Sequence, residues 1–156
     1  MRTAFCALAL IPLLLAGCAT PPEAEAPSEA AVPAFSGHGA LDERIAHYAA
    51  VYDVPEALIH RSVQRESGYV PTRRHGPYWG LMQIRLDTAR GVGYRGTARG
   101  LLDADTNLKY AVAYLANAYL VAGGDSDRAL RLYAAGFYYE ARRKGLLDQL
   151  RKAQDD

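Results

Sequence analysis

The chain has 156 residues, enough for one domain and an appendage, and half of them are hydrophobic, enough for one core. Its 18 Lys and Arg against 17 Asp and Glu give a formal charge of +1, and without Arg2 the two signs balance. A nucleic-acid or other polyanion-binding role gets no support from that balance; the nearest thing to a basic run is Arg73-Arg74-His75.

Residues 1–17 read as a signal peptide, with Arg2 as the charged start and Ala7 to Ala16 as a short apolar run. The run is too short to cross a bilayer as a mature helix. It ends in Leu15-Ala16-Gly17-Cys18, which resembles the lipobox of bacterial lipoproteins. The resemblance implies cleavage before Cys18 and acylation of its thiol and amine. Several acyl chains anchor firmly where one binds only marginally. Cleavage removes Cys6, so no cysteine pair is left for a disulfide or a zinc site. Ala19 stands where an inner-membrane retention signal has Asp, so the resemblance implies an outer-membrane anchor facing the periplasm. The other reading of Cys18 is an ordinary cysteine beside a signal-peptidase site. Residues 18–40 then form a tether: Pro21, Pro22, Pro27 and Pro33 oppose a helix, and the apolar residues have no period. About twenty extended residues reach roughly 60 Å.

The folded domain is expected at 41–156. Leu41, Ile45, Tyr48, Ala49 and Tyr52 recur at helical spacing. Pro55 opens a second helix to Ser67, and Gly68 is suited to stop it. Residues 69–80 lack a period, and Pro71, Gly76 and Pro77 mark a loop. A short helix is expected over 86–92, before a glycine-rich passage. The longest helix, 106–122, carries Leu108, Ala111, Val112, Leu115, Ala118, Tyr119 and Ala122 as one stripe. Gly123-Gly124 ends it, and Asp125 or Ser126 caps the next, which runs toward Gly136. A last helix over 138–152 turns Leu146, Leu147 and Leu150 inward. No strand pattern of useful length is visible. The expectation is a mainly α domain of six or seven helices.

Glu66 carries the chemistry of this reading. It lies three residues after Val63, four after Ser62 and seven after Ile59, on the apolar face of the second helix. A carboxylate there is partly desolvated, which favours its neutral, proton-donating form. The alternatives are an exposed last-turn Glu, or one paired with Arg61 or Arg65. Glu66-Ser67-x-Tyr69-x-Pro71 followed by Gly80-Leu81-Met82-Gln83-Ile84 resembles the lytic transglycosylases of the soluble-lytic-transglycosylase superfamily, relatives of goose-type lysozyme. Two further blocks follow in order: Asn107-Leu108 with Ala111 and Tyr114-Leu115, then Leu132-Tyr133-Ala134-Ala135-Gly136. The resemblance spans about residues 41–145 and implies a lysozyme-like fold, which often carries a small hairpin that this sequence does not announce.

What the resemblance implies is cleavage of peptidoglycan glycan strands by one carboxylate, without metal or cofactor. Glu66 would protonate the oxygen between N-acetylmuramic acid and N-acetylglucosamine, then deprotonate the muramic C6 hydroxyl as it closes a 1,6-anhydro ring. Tyr133 would hydrogen-bond and orient the carboxylate, with Tyr114 nearby. Ser67 would approach Glu66 or the acetamido group. Met82 and Gln83 would line the groove, Gln83 as a donor, and Tyr78 and Trp79 are candidates to stack on sugars. Ordinary packing is the alternative for each. Asp87, Asp103, Asp105 and Glu140, the later candidates for a second carboxylate, read as structural. Three departures bear on substrate preference: Ala134 replaces the usual Asn, the Glu66–Gly80 loop is one residue short, and His75-Gly76-Pro77-Tyr78-Trp79 replaces the common Ser-x-x-Gly-Ala. A hydrolytic, goose-type outcome and a non-catalytic wall-binding lipoprotein remain the competing expectations.

Overall fold

The computed structural model describes residues 39–154. The signal segment, Cys18 and the tether to residue 38 lie outside the described residues. Within them the order is α1 (Ala40–Tyr52), α2 (Glu56–Glu66), β1 (Arg74–His75), β2 (Tyr78–Trp79), β3 (Ile84–Arg85), α3 (Leu86–Gly91), a 3-10 turn (Ala98–Leu102), α4 (Ala104–Ala122), α5 (Ser126–Ala135), α6 (Tyr138–Arg143) and a second 3-10 turn (Leu147–Gln149). The mainly α expectation holds, with six α-helices among the described residues.

Helix α4 is the axis, packed against α1, α3, α5 and the first 3-10 turn. Its burial is wider than one stripe: Ala113, Ala116 and Asn117 are buried along with Leu108, Ala111, Val112, Leu115 and Ala118. A helix apolar on nearly all sides is one wrapped by others, and alanines let neighbours approach closely. Its ends are well marked. Asp103 accepts a hydrogen bond from the Thr106 amide at 2.8 Å, and Gly123 takes a left-handed φ of 73°. Asp125 caps α5 the same way, through the Arg128 amide at 2.9 Å.

Two expectations fail. The predicted helix 138–152 stops at Arg143, because Gly145 turns left-handed (φ 67°) and its amide and that of Leu146 bond back to Arg142 and Ala141. Leu146, Leu147 and Leu150 still pack on the core, as expected. The chain then crosses the helices as a strap. Asn117 Nδ2 donates to Arg151 O at 2.8 Å and its Oδ1 accepts from Arg151 N at 2.7 Å. The Ala153 amide donates to Val92 O at 2.8 Å. Replacing Asn117 with Ala leaves these strap groups unpaired. We expect a loss of about 1–3 kcal/mol, read as a lower urea midpoint and faster amide exchange at Arg151 and Ala153.

The second failure is the sheet. Residues 74–85 form an antiparallel three-stranded meander, with Arg74 opposite Trp79 opposite Ile84 and His75 opposite Tyr78 opposite Arg85. Strands of two residues are too short to show a period, so nothing in the sequence announced them. They are held by long-range bonds. Asn107, fully buried on α4, donates to Trp79 O and Leu101 O, each at 2.8 Å, and accepts from Met82 N at 2.9 Å.

Candidate active site

A cleft of about 770 Å³ runs between the end of α2, the meander, α3, α4 and the end of α5. Its lining is Glu66, Arg73, Arg74, His75, Tyr78, Gln83, Ile84, Arg85, Thr88, Tyr114, Tyr133 and Ala134 to Gly136. Glu66 is the one carboxylate in that lining. A smaller cleft of about 510 Å³ adjoins it through Thr88 and Tyr114.

Glu66 ends α2, and the chain leaves it sharply. Gly68 and Tyr69 both take left-handed φ values, 61° and 64°. Glycine adopts this readily; for an aromatic residue it is strained. A latch accompanies the strain: Tyr69 Oη lies 2.8 Å from His60 Nδ1, and His60 Nε2 lies 3.3 Å from Glu56 Oε1. The turn therefore leads back along α2, and the last-turn side chain is left at the cleft. Glu66 is 24% exposed, and Arg65 contacts its Oε1 through Nε at 3.0 Å and an Nη at 2.6 Å. Oε2 accepts no hydrogen bond among the described residues. The carboxylate is thus paired with Arg65 and also in the cleft, two situations that the sequence reading set against each other.

Tyr133 is buried, and its hydroxyl donates to Met82 O at 2.8 Å. That corrects the expectation that it bonds Glu66: its single proton is engaged by a backbone carbonyl. Burial, then the charge of nearby Glu66 and the neighbouring Tyr114, hold its phenol well above the usual tyrosine range. It stays neutral at any working pH. Tyr114 is raised also, by burial and then the charge of Asp87. Its ring packs edge-on against Tyr133 with centroids 5.4 Å apart and tilted on Phe137 at 4.7 Å. Tyr114 and Tyr133 line the cleft, beside Ala134, Ala135 and Gly136.

Several expected contacts are elsewhere. Ser67, just past the end of α2, is fully buried and donates back to Val63 O at 3.2 Å, so it does not approach the cleft. Met82 is fully buried in the core, and its backbone takes part instead of its side chain. Gln83 does line the cleft, but its Nε2 donates to Arg73 O at 3.0 Å and Gly80 O at 2.8 Å. Both its protons are used, so it offers a substrate an acceptor and no donor. Its φ of 47° is a second strained position at the cleft. Tyr78 is 40% exposed and lines the cleft. Trp79 does not line it: the Arg74 guanidinium lies over its ring at 4.3 Å and occupies the face that a sugar would need.

The other carboxylates have structural partners. Asp87 is held by Arg85 at 3.0 and 2.8 Å, and that bond keeps its pKa below the ordinary carboxylate range. Asp103 caps α4, Asp105 pairs with Arg44 and accepts from Tyr48, and Glu140 pairs with Arg128 and Lys144. No group of three His, Cys, Asp or Glu able to hold a metal occurs among the described residues. Arg85 and Thr88 are lining residues that the sequence reading did not single out; the folded meander and α3 bring them to the cleft.

Compared with known proteins, residues 43–154 match the family model described as the transglycosylase SLT domain. Neither a curated protein nor a solved structure matches the chain. A family match across nearly all of the described residues, on a helical domain whose main cleft holds one carboxylate, means that the chain belongs to the transglycosylase SLT domain family.

Proposed function

We propose that this protein is a peptidoglycan lytic transglycosylase in which Glu66 acts first as acid and then as base. The family is one of lytic transglycosylases acting on peptidoglycan. The observation that carries the reading to a residue is that one carboxylate lines the main cleft and the other candidates are bound elsewhere.

Glu66 donates its proton to the glycosidic oxygen between N-acetylmuramic acid and N-acetylglucosamine, and the bond from that oxygen to muramic C1 breaks. With no second carboxylate at hand, the positive charge developing at C1 is met by the substrate's own 2-acetamido oxygen. Glu66, now ionised, takes the proton of the C6 hydroxyl as that oxygen bonds to C1. The enzyme ends as it began, and no water is consumed. Arg65 holds Oε1, which leaves Oε2 as the oxygen for proton transfer. Neutral Tyr133 fixes the Met82 carbonyl and keeps a second charge away from Glu66. Gln83 faces the sugar as an acceptor. Acylation at Cys18 belongs to the same proposal, and would hold the domain on the outer membrane by its tether, facing the wall.

The test is the chemical nature of the new ends. Purified sacculi treated with the protein should lose turbidity without gaining ends that borohydride can reduce, since a 1,6-anhydro sugar has no free aldehyde. New reducing ends equal in number to the cuts would instead indicate hydrolysis, and loss of the glycan-cutting step altogether would indicate a binding protein.

A further inference from the structure

We propose that Arg73 and Arg74 recognise carboxylates of the peptide stems borne by the glycan, so that the enzyme acts preferentially on peptide-bearing strands; this rests on the reading of the main cleft as the site of glycan cleavage. The lining of that cleft is out of proportion to an uncharged sugar. It holds Arg73, Arg74 and Arg85 against the single carboxylate of Glu66. Glu66 already has its own partner in Arg65, and Arg85 is matched by Asp87. Arg73 and Arg74 make no ion pair among the described residues, so the cleft keeps two uncompensated guanidinium groups. The chain as a whole is nearly neutral, which makes this a local arrangement rather than general basicity.

Both are set on fixed backbone. The Arg73 carbonyl accepts from Gly80 N at 2.8 Å and from Gln83 Nε2 at 3.0 Å. Arg74 pairs with Trp79 in the meander, and its guanidinium is stacked on that ring at 4.3 Å. Stacking dries one face of the group and leaves its N–H edges for planar, two-pronged bonding, the geometry that suits a carboxylate. A guanidinium already held in place loses less freedom on binding. Peptide stems carry several free carboxylates at a distance from the sugar rings, whereas a strand stripped of its stems keeps only the lactyl carboxylate beside each muramic ring. The cations on the meander wall match the first pattern.

The test compares initial rates on one preparation of wall glycan before and after an amidase removes its stems, for the wild-type protein and for the double variant R73Q/R74Q. The wild type should favour the peptide-bearing form about tenfold at low salt, and the preference should shrink as salt rises. The variant should bring the ratio close to one. Because each ratio is taken within one protein sample, a smaller folded fraction in the variant cancels. A wild-type ratio of one, or a variant that keeps the wild-type ratio, overturns the proposal while leaving the cleavage reading intact. Absence of anhydro ends from both substrates with the wild type overturns the cleavage reading, and this proposal with it.

Discussion

Glu66→Gln is expected to lower the rate of sacculus digestion by about 10²–10⁴-fold, the range associated with a general acid–base group. The amide has the shape of the acid, and its oxygen can still accept the bonds that Arg65 makes to Oε1. It can neither deliver an acidic proton to the leaving oxygen nor take one from the C6 hydroxyl. In the proposed mechanism both steps use this one group, the one carboxylate in the cleft lining, so the variant loses both at once. Sedimentation of the variant with sacculi should show binding retained, which separates lost chemistry from lost affinity. Wild-type digestion rates from this variant would remove Glu66 from the mechanism.

Asn107→Ala carries the largest expected effect on stability, about 3–5 kcal/mol, read as a shift in the urea midpoint. The side chain is fully buried and binds three backbone groups from two separate segments: Met82 N, Trp79 O and Leu101 O. Alanine strands all three in a site that excludes water. The packing there is close on every side. A Cβ added at Gly80 would come within 2.2 Å of Asn107 Nδ2 and 2.3 Å of Leu101 O, at a backbone φ of 74°. The meander wall of the cleft rests on this contact, so activity should fall further than the unfolded fraction alone predicts. A loss below about 1 kcal/mol would mean that the meander is held by something other than Asn107.

The parts of this fold that were legible in the sequence are those with a period or a cap. Leu58, Ile59 and Val63 mark α2, the alanine-rich stripe marks α4, and Asp125 and Gly123 mark the break between α4 and α5. Helical spacing put Glu66 on the face of Ile59 and Val63, and its side chain lines the cleft at the end of that helix. Two of the misses share a cause. Ser67 and Met82 lie where the chain turns, beyond the reach of periodicity, and the left-handed residues Gly68, Tyr69, Gly80 and Gln83 redirect them. The sequence could place Ser67 beside Glu66, but not show that its hydroxyl would bond back to Val63. Asn107 left a signal that was available: a polar residue four before Ala111 and seven before Tyr114, on the inward face of α4. A buried amide on such a face has to find backbone partners, and here they are the strands that the sequence did not reveal.

The central claim is that one carboxylate cuts the strand by an internal attack in which solvent takes no part. Digestion of sacculi in water enriched in heavy oxygen, followed by product masses, puts it to the test. The account predicts muropeptides one water lighter than hydrolysis products, with no heavy oxygen at C1. Products of full mass that carry the heavy label at C1 would contradict it.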